Sequence, residues 1–214
     1  MLDAQRFLVQ ERVKFLRGYA TYDIYSLDEG GDDDGSPDLL GTAEEQVSTV
    51  KQLLRWFVSK ALMGTRVEIR EKPDDALVFT ISRGPYLFRS RVEVRDAQGE
   101  LVGYFRSKVF TIGGGFHVYT PDDKHFAEVT GNFIGFNYRI LTPDRAVELG
   151  TVAKKWGGVA KELFTSADTY AVTLSDDLQE QPLAKMLVLA AALAVDMIFK
   201  SESRTAGADL LGEI

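Results

Sequence analysis

Four basic residues alternate with other side chains in two nearby stretches of the chain: Arg89 and Arg91, then Arg106 and Lys108. Alternation with a period of two indicates β-strands, and the turn-forming residues between the stretches indicate that the strands form a hairpin. We predict a four-residue loop at 97–100, which puts the basic residues on the outer side of this hairpin. The inner side then carries Val92, Val94, Gly103 and Phe105.

Pairing the apolar residues on the inner side fixes the register of the hairpin. Asp96 then lies opposite Leu101. On the outer side, Arg91 lies opposite Arg106, and Arg89 lies opposite Lys108. Like charges directly opposite each other destabilise a sheet unless an anion or nearby acids neutralise them, and Glu93 supplies one acid. Two interpretations stay open: a solvated face with partners from elsewhere in the chain, and a site for an anionic headgroup or phosphate.

Residues that could support catalysis are scarce. His117 and His125 are the only histidines, and each falls in a predicted strand or turn without a serine nucleophile motif nearby. We interpret both as ordinary residues and not as metal ligands. The run Gly113–Gly115 precedes a predicted strand, whereas a phosphate-binding loop opens a helix. We therefore predict a protein that is not an enzyme and that uses no cofactor.

The segment Met186–Val195 is apolar on every face of a helix, so it must be surrounded by apolar matter. The longer stretch Leu183–Phe199 would be about 25 Å long as a helix, short for a hydrocarbon core of ~30 Å. It also contains Lys185 and Asp196. We predict a central helix with the rest of the chain wrapped around it; a membrane-inserted helix is the alternative.

Asp196 lies near the C-terminal end of this predicted helix, where the helix dipole disfavours a negative charge. A buried carboxylate there needs a donor or must stay protonated. We predict that Asp196 has a structural role and connects the helix to the end of the surrounding barrel. Its partner would be a lysine, an arginine or the Trp156 indole. A proton or ion relay is the alternative.

Residues 42–63 have the pattern of an amphipathic helix. Thr42 and Glu45 form a capping box, and Gly64 is placed as the C-terminal stop. Trp56 projects off the apolar stripe. It either laps over the edge of a sheet or contacts a protein partner or membrane surface.

The remaining chain indicates an antiparallel barrel. Short strand patterns separated by turn signals predict strands in Leu2–Leu16, Tyr19–Tyr25, Thr65–Arg70 and Leu77–Arg83. A hairpin unit recurs downstream at an offset of 24 residues, beginning at Val94 and again at Val118. Closure into a barrel would remove exposed sheet edges. We predict one domain over 1–200, with a solvated acidic loop at 28–41 and a polar tail at 201–214.

Composition limits the functional classes. The 214 residues include no cysteine, which excludes disulfides, thiolate metal sites and S-acyl anchors. The N-terminal residues have no apolar core like that of a secretory signal, so we expect a cytoplasmic protein. A net charge of −7 disfavours attraction of the whole molecule to nucleic acid.

Two motifs near the C-terminus carry a family resemblance: Gly-x-Val-x-Lys-x-Trp-x-Gly over 150–158, and Glu-x-Phe-Thr-x-Ala-Asp over 162–168. With the apolar helix that follows, they resemble the C-terminal half of phospholipid scramblases and LURP-one-related proteins. The resemblance covers roughly 87–200. It implies a tubby-like fold, a closed antiparallel barrel of about a dozen strands around a buried C-terminal helix.

The resemblance also points to a calcium segment between the second motif and the helix. Asp168 matches it, but the preceding acidic position is Ser166, and Asp176 and Asp177 are reached only through a short insertion. The proline-rich arm and cysteine cluster of animal scramblases are absent from this sequence. We therefore predict no tight calcium site.

The resemblance and the basic face together predict a scramblase-related, LURP-one-related barrel that binds an anionic lipid headgroup or another anionic ligand. We expect it in the cytoplasm, peripheral at the membrane. Two alternatives stay open. One is a membrane-inserted scramblase that moves phospholipids between leaflets, and the other is a protein-interaction scaffold that uses the Trp56 face.

Overall fold

The computed structural model describes residues 1–12, 21–28, 37–46, 64–84, 91–107, 115–132, 136–154 and 169–195. Twelve strands in these ranges form one closed barrel, in which every strand pairs antiparallel with its sequence neighbours and β1 also pairs with β12. The strands are β1 Arg6–Glu11, β2 Thr21–Ser26, β3 Leu39–Glu45, β4 Thr65–Glu71, β5 Ala76–Arg83, β6 Arg91–Asp96, β7 Leu101–Ser107, β8 Gly115–Tyr119, β9 His125–Asn132, β10 Asn137–Leu141, β11 Glu148–Ala153 and β12 Thr169–Leu174.

Alternating burial along the strands explains why the sheet closes. In β6, Val92 and Val94 are buried in the barrel core, while Arg91, Glu93 and Arg95 are only partly buried on the outer face. β4, β8 and β10 alternate in the same way over part of their length, whereas β1, β2 and β12 carry runs of three or four buried residues. The inward side chains give the barrel an apolar interior. This arrangement confirms the fold class that the sequence predicts.

The barrel interior holds the helix α1, residues 182–195. Its residues 186–195 are all buried, and they form one apolar cluster with the inward side chains of the strands. Two strand glycines let the helix approach the barrel wall: a Cβ on Gly103 would lie 2.7 Å from Leu187, and one on Gly150 would lie 3.0 Å from Val188. The predicted central helix is confirmed over these residues.

The described part of the chain contains no helix with the length and apolar character needed to span a bilayer. The alternative of a membrane-inserted helix disagrees with this structure over 182–195, because strands surround the segment. Apolar side chains of the barrel wall supply the environment that Met186–Val195 requires.

Among the charged residues that the structure describes, Lys185 is buried deepest, at 2% exposed. It lies in the first turn of α1, which opens with Pro182, a residue favoured at the first helical position. Its Nζ donates to the carbonyl oxygen of Leu2 at 2.7 Å, with the carbonyl oxygens of Asp3 and Ala4 at 3.4 and 3.5 Å. The N-terminal segment therefore supplies acceptors for all three ammonium hydrogens.

The recurring hairpin predicted from the sequence is present. Val94 pairs with Gly103, Val118 pairs with Ala127, and a register shift follows each pair on the turn side. In four hairpin turns, one residue at an equivalent position of the turn has a positive φ angle, in the left-handed region of backbone conformation. These residues are Asp75 (φ 57°), Gly99 (φ 86°), Asp123 (φ 61°) and Arg145 (φ 60°).

The predicted start of the amphipathic helix is wrong. Thr42 and Glu45 do not form a capping box, because both belong to β3, as do residues 39–41, which we assigned to the acidic loop. Ala43, between them, is buried in the core and pairs with β2 and β4. Ladder hydrogen bonds on both sides outweigh the local capping signal. Residues 47–63 lie outside the described residues.

Candidate anion-binding face

Arg91 and Arg106 face each other directly across the β6–β7 ladder. The apolar pairs Val92–Phe105 and Val94–Gly103 also form as predicted, so the register chosen for the inner side is confirmed. The turn end differs. A register shift between Val94 and Arg95 puts Arg95, and not Asp96, opposite Leu101. Asp96 instead accepts backbone N–H bonds from the turn residues Gln98 and Glu100.

Tyr104 lies beside the arginine pair and contacts both guanidinium groups. Its ring centroid is 3.7 Å from Cζ of Arg91 and 5.0 Å from Cζ of Arg106. Tyr119 of β8 stacks on Tyr104, with the centroids 5.1 Å apart, and Arg106 lies 5.4 Å from the Tyr119 ring. Attraction between the cations and the aromatic faces offsets part of the repulsion between the two arginines.

The Tyr104 side chain is fixed at its far end as well. Its hydroxyl donates to Oδ1 of Asp123 at 2.5 Å, in the β8–β9 turn. Burial raises the pKa of Tyr104, the bond to Asp123 raises it further, and the charges of Arg106 and Arg91 act in the opposite direction. The phenol therefore stays neutral at physiological pH. Its ring is held in place and packs against both guanidinium groups.

Acidic partners are distributed unevenly over the arginines. Glu93 lies between Arg91, at 3.3 Å, and Arg95, at 2.9 Å. The buried Nε of Arg91 nevertheless lacks a partner with hydrogen-bond geometry. Arg106 is exposed, and no carboxylate of the described residues forms an ion pair with it. An anion approaching from solvent therefore meets an arginine fork that is already ordered by two tyrosines.

The basic row continues onto the next strand. His117 of β8 lies opposite Arg106, and Glu128 of β9 lies opposite His117. Arg145 binds the Glu128 carboxylate through two hydrogen bonds, of 2.8 and 3.1 Å. His117 Nδ1 lies 3.0 Å from His125 Nε2. The sequence predicted both histidines in strands or turns but did not bring them together. The Val118–Ala127 hairpin was the signal that could have paired them.

Of the three weak calcium candidates, the structure describes Asp176 and Asp177. Asp176 and Asp177 lie in the 3₁₀ turn Asp176–Leu178, where Ser175 Oγ accepts from the Asp177 backbone N–H. No group of three or more metal-ligating His, Cys, Asp or Glu side chains occurs among the residues that the structure describes. Asp168 lies outside these residues, and the absence of a tight calcium site stays a prediction.

Other candidate residues also fall outside the described ranges. Arg89 and Lys108, the outer members of the basic face, lie outside the described residues. Their predicted pairing therefore stays a prediction. The same holds for the structural roles of Trp156 and Asp196 and for the partner surface at Trp56. The part of the face that the structure places consists of Arg91 and Arg106, together with the tyrosines and histidines beside them.

Comparison with known proteins agrees with this architecture. The family model named Scramblase matches residues 75–202, more than half of the chain. Phospholipid scramblase 2 of Homo sapiens is 23% identical over 119 residues, which cover 53% of this chain. The matched region spans 39% of the length of the human protein. This chain belongs to the scramblase family.

Proposed function

We propose that this protein is a non-enzymatic barrel that binds the headgroups of anionic phospholipids at a membrane surface, through the face formed by Arg91 and Arg106. The observation that carries the proposal is their position directly opposite each other, with Arg106 exposed and without an ion pair among the described residues. Because arginine stays charged at physiological pH, deprotonation cannot relieve the repulsion between them.

The chemistry of the face suits a phosphate group. A guanidinium presents parallel N–H donors that match two oxygens of one phosphate. The two strands that carry these groups are about 4.8 Å apart. Both guanidinium groups can therefore contact a single headgroup, one from each side. The tyrosine ring below them restricts their motion, so less side-chain entropy is lost on binding.

Family membership supports a phospholipid as the source of that phosphate. The related human protein is named a phospholipid scramblase, and its matched region includes only part of its length. We infer lipid binding by the barrel and peripheral attachment to the membrane. Movement of lipid between leaflets is not part of the proposal, because the apolar helix over 182–195 is enclosed by the barrel.

Flotation with liposomes tests the proposal. The wild-type protein should float with vesicles that contain phosphatidylglycerol. It should remain at the bottom of the gradient when the vesicles contain only neutral phosphatidylcholine. Binding to the anionic vesicles should weaken as the salt concentration increases. Calcium should make no difference. Soluble glycerol phosphate at the same phosphate concentration should compete weakly, because it lacks the multivalent attachment to a membrane.

Charge-matched variants locate the site. Arg91→Glu with Arg106→Glu should abolish flotation while the circular dichroism spectrum stays unchanged. Arg66→Glu with Arg139→Glu changes the net charge equally on β4 and β10, at side chains that are 53% and 60% exposed. This control should retain most of the binding. Equal losses in the two double variants would refute a site at Arg91 and Arg106.

A further inference from the structure

The up-and-down order of the strands divides the chain between the two ends of the barrel. Because neighbouring strands are antiparallel, every even-numbered strand finishes at the same end. The turns 72–75, 97–100, 120–124 and 142–147 and the segment 175–181 therefore lie together, at what we call the hairpin end. A six-residue strand such as β6, tilted by ~40°, separates the two ends by about 15 Å along the barrel axis.

Acidic side chains outnumber basic ones at the hairpin end. Each of its connections has at least one exposed acidic residue. Examples, one from each connection, are Asp74, Glu100, Asp122, Asp144 and Asp176. The basic residues of the same connections are Lys72, Lys124 and Arg145, and each is paired with a carboxylate. The hairpin end therefore carries a net negative charge.

The opposite end of the barrel carries arginines on β4, β5, β6 and β7, and we call it the arginine end. Arg66 and Arg91 lie within the first two residues of β4 and β6. Arg83 and Arg106 lie within the last two residues of β5 and β7. The other residues at these terminal positions are uncharged, so this part of the barrel carries a net positive charge.

The positive charge is confined to one side of the arginine end. Glu11 of β1 and Glu44 and Glu45 of β3 reach the same end, beyond β4 in the strand order. The proposed headgroup site at Arg91 and Arg106 lies within the positive side. An anionic membrane therefore attracts the barrel where β4, β5, β6 and β7 reach the arginine end.

This site could meet a membrane with the barrel lying flat or raised on its arginine end. In the flat arrangement, the other end of the β6–β7 hairpin would bring Asp96 and Glu100 to the anionic surface. In the raised arrangement, these carboxylates lie about 15 Å further from the lipid phosphates, beyond a Debye length of ~8 Å at physiological ionic strength. Their repulsion is then largely screened, while both arginines keep their contacts.

We infer that the barrel binds an anionic membrane in one preferred orientation, with the β4–β7 side of its arginine end toward the headgroups and its hairpin end in water. The inference rests on the proposed function, because Arg91 and Arg106 supply the point of attachment. Opposite charges at the two ends then set the direction of the barrel axis. The turns of the hairpin end stay accessible to solvent on the bound protein.

Fluorescence quenching measures this orientation. The chain contains no cysteine, so single labels can be attached through Gly84→Cys at the arginine end and Gln98→Cys at the hairpin end. Both positions are exposed, and Gly84 follows β5 while Gln98 follows β6. The vesicles contain phosphatidylglycerol and a lipid with a nitroxide quencher on its headgroup. Quenching should be at least about twofold stronger at position 84 than at position 98, because ~15 Å separates them along the barrel axis.

The outcomes separate the orientation from the proposed function. Flotation of both labelled proteins with equal quenching, or with stronger quenching at position 98, would overturn the orientation and leave anionic lipid binding standing. A label that itself abolishes flotation also reports the contact: loss at position 84 alone supports the orientation, and loss at position 98 alone contradicts it. Failure of the unlabelled wild type to float refutes both proposals.

Charge variants test the cause of the orientation. Asp74→Lys with Glu100→Lys places positive charge in two exposed turns of the hairpin end. The ratio of quenching at position 84 to that at position 98 should then fall toward one, because the barrel can lie flat. Glu11→Lys with Glu45→Lys makes the same change in net charge at the arginine end and should leave position 84 the more strongly quenched. An unchanged ratio in the hairpin-end variant would refute charge as the cause.

Discussion

Arg91 and Arg106 lie directly opposite each other on neighbouring strands, and both guanidinium groups contact the ring of Tyr104. The apolar pairs on the inner face fix this opposition, because Val92 must pair with Phe105 for both to reach the core. Packing of the barrel core therefore forces the two like charges together and causes an unfavourable electrostatic repulsion. A bound anion would reduce this repulsion.

The enclosure of α1 predicts that a charge at its centre strongly destabilises the fold. Ala191 is fully buried, so Ala191→Asp should lower the free energy of unfolding by about 3–5 kcal/mol. Leu183 is on the same helix and is 58% exposed, and Leu183→Asp should have little effect. Thermal unfolding followed by circular dichroism measures both. An unchanged melting temperature for Ala191→Asp would contradict a helix inside the barrel.

The close approach of α1 to β7 predicts that Gly103 tolerates no side chain. A Cβ there would lie 2.5 Å from the Tyr119 carbonyl oxygen and 2.7 Å from Leu187. Gly103→Ala should therefore lower the free energy of unfolding by about 1–3 kcal/mol, as overpacking does. Gly84 has no described atom within 4 Å of such a Cβ, so Gly84→Ala is the control. Equal urea midpoints for the two variants would argue against this contact.

Lys185 should stabilise the fold through its bonds to the N-terminal carbonyls. Lys185→Met keeps much of the side-chain length but leaves the Leu2 carbonyl and its neighbours without this donor. We expect a loss of about 1–3 kcal/mol in urea unfolding. Lys124, 80% exposed, provides the comparison, and Lys124→Met should change stability by less than about 0.5 kcal/mol. A Lys185→Met protein as stable as wild type would show that these bonds contribute nothing net.

Tyr138 should make the fold sensitive to alkaline pH. Burial raises its pKa above the ordinary value of about 10, so the folded protein keeps the phenol neutral where the unfolded chain ionises. This contribution to stability is complete below pH ~10 and is lost as the pH rises further. The slope of unfolding free energy against pH should be shallower in Tyr138→Phe between about pH 9 and 11. Equal slopes for the wild type and Tyr138→Phe would contradict the attribution of this pH dependence to Tyr138.

Periodicity predicted the fold and the arginine pair correctly because both depend on apolar side chains sharing one face. Val92, Val94 and Phe105 fix a register of period two, and Arg91 and Arg106 follow from it. The same reasoning misplaced Asp96, because a bulge inserts one residue at the turn end. Apolar spacing carries no signal for such an insertion.

Long-range contacts account for the other differences. Thr42 and Glu45 match a local helix signal, but pairing of β3 with β2 and β4 determines their conformation. Lys185 binds carbonyls more than 180 residues away in the sequence, a contact that spacing along the chain cannot indicate. The Val118–Ala127 hairpin places His117 and His125 on adjacent strands, but the register shift after Val118, which sets their contact, has no signal in the apolar spacing.

Nuclear magnetic resonance of the arginine side chains tests the central claim most directly. With ¹⁵N-labelled arginine, the Nε–Hε signals of Arg91 and Arg106 can be followed while a water-soluble, short-chain phosphatidylglycerol is added below its micelle concentration. We predict saturable shifts at Arg91 and Arg106, with the signals of Arg66 and Arg139 unchanged. Shifts that are absent at Arg106, or equal at all four arginines, would contradict an anionic headgroup site on this face.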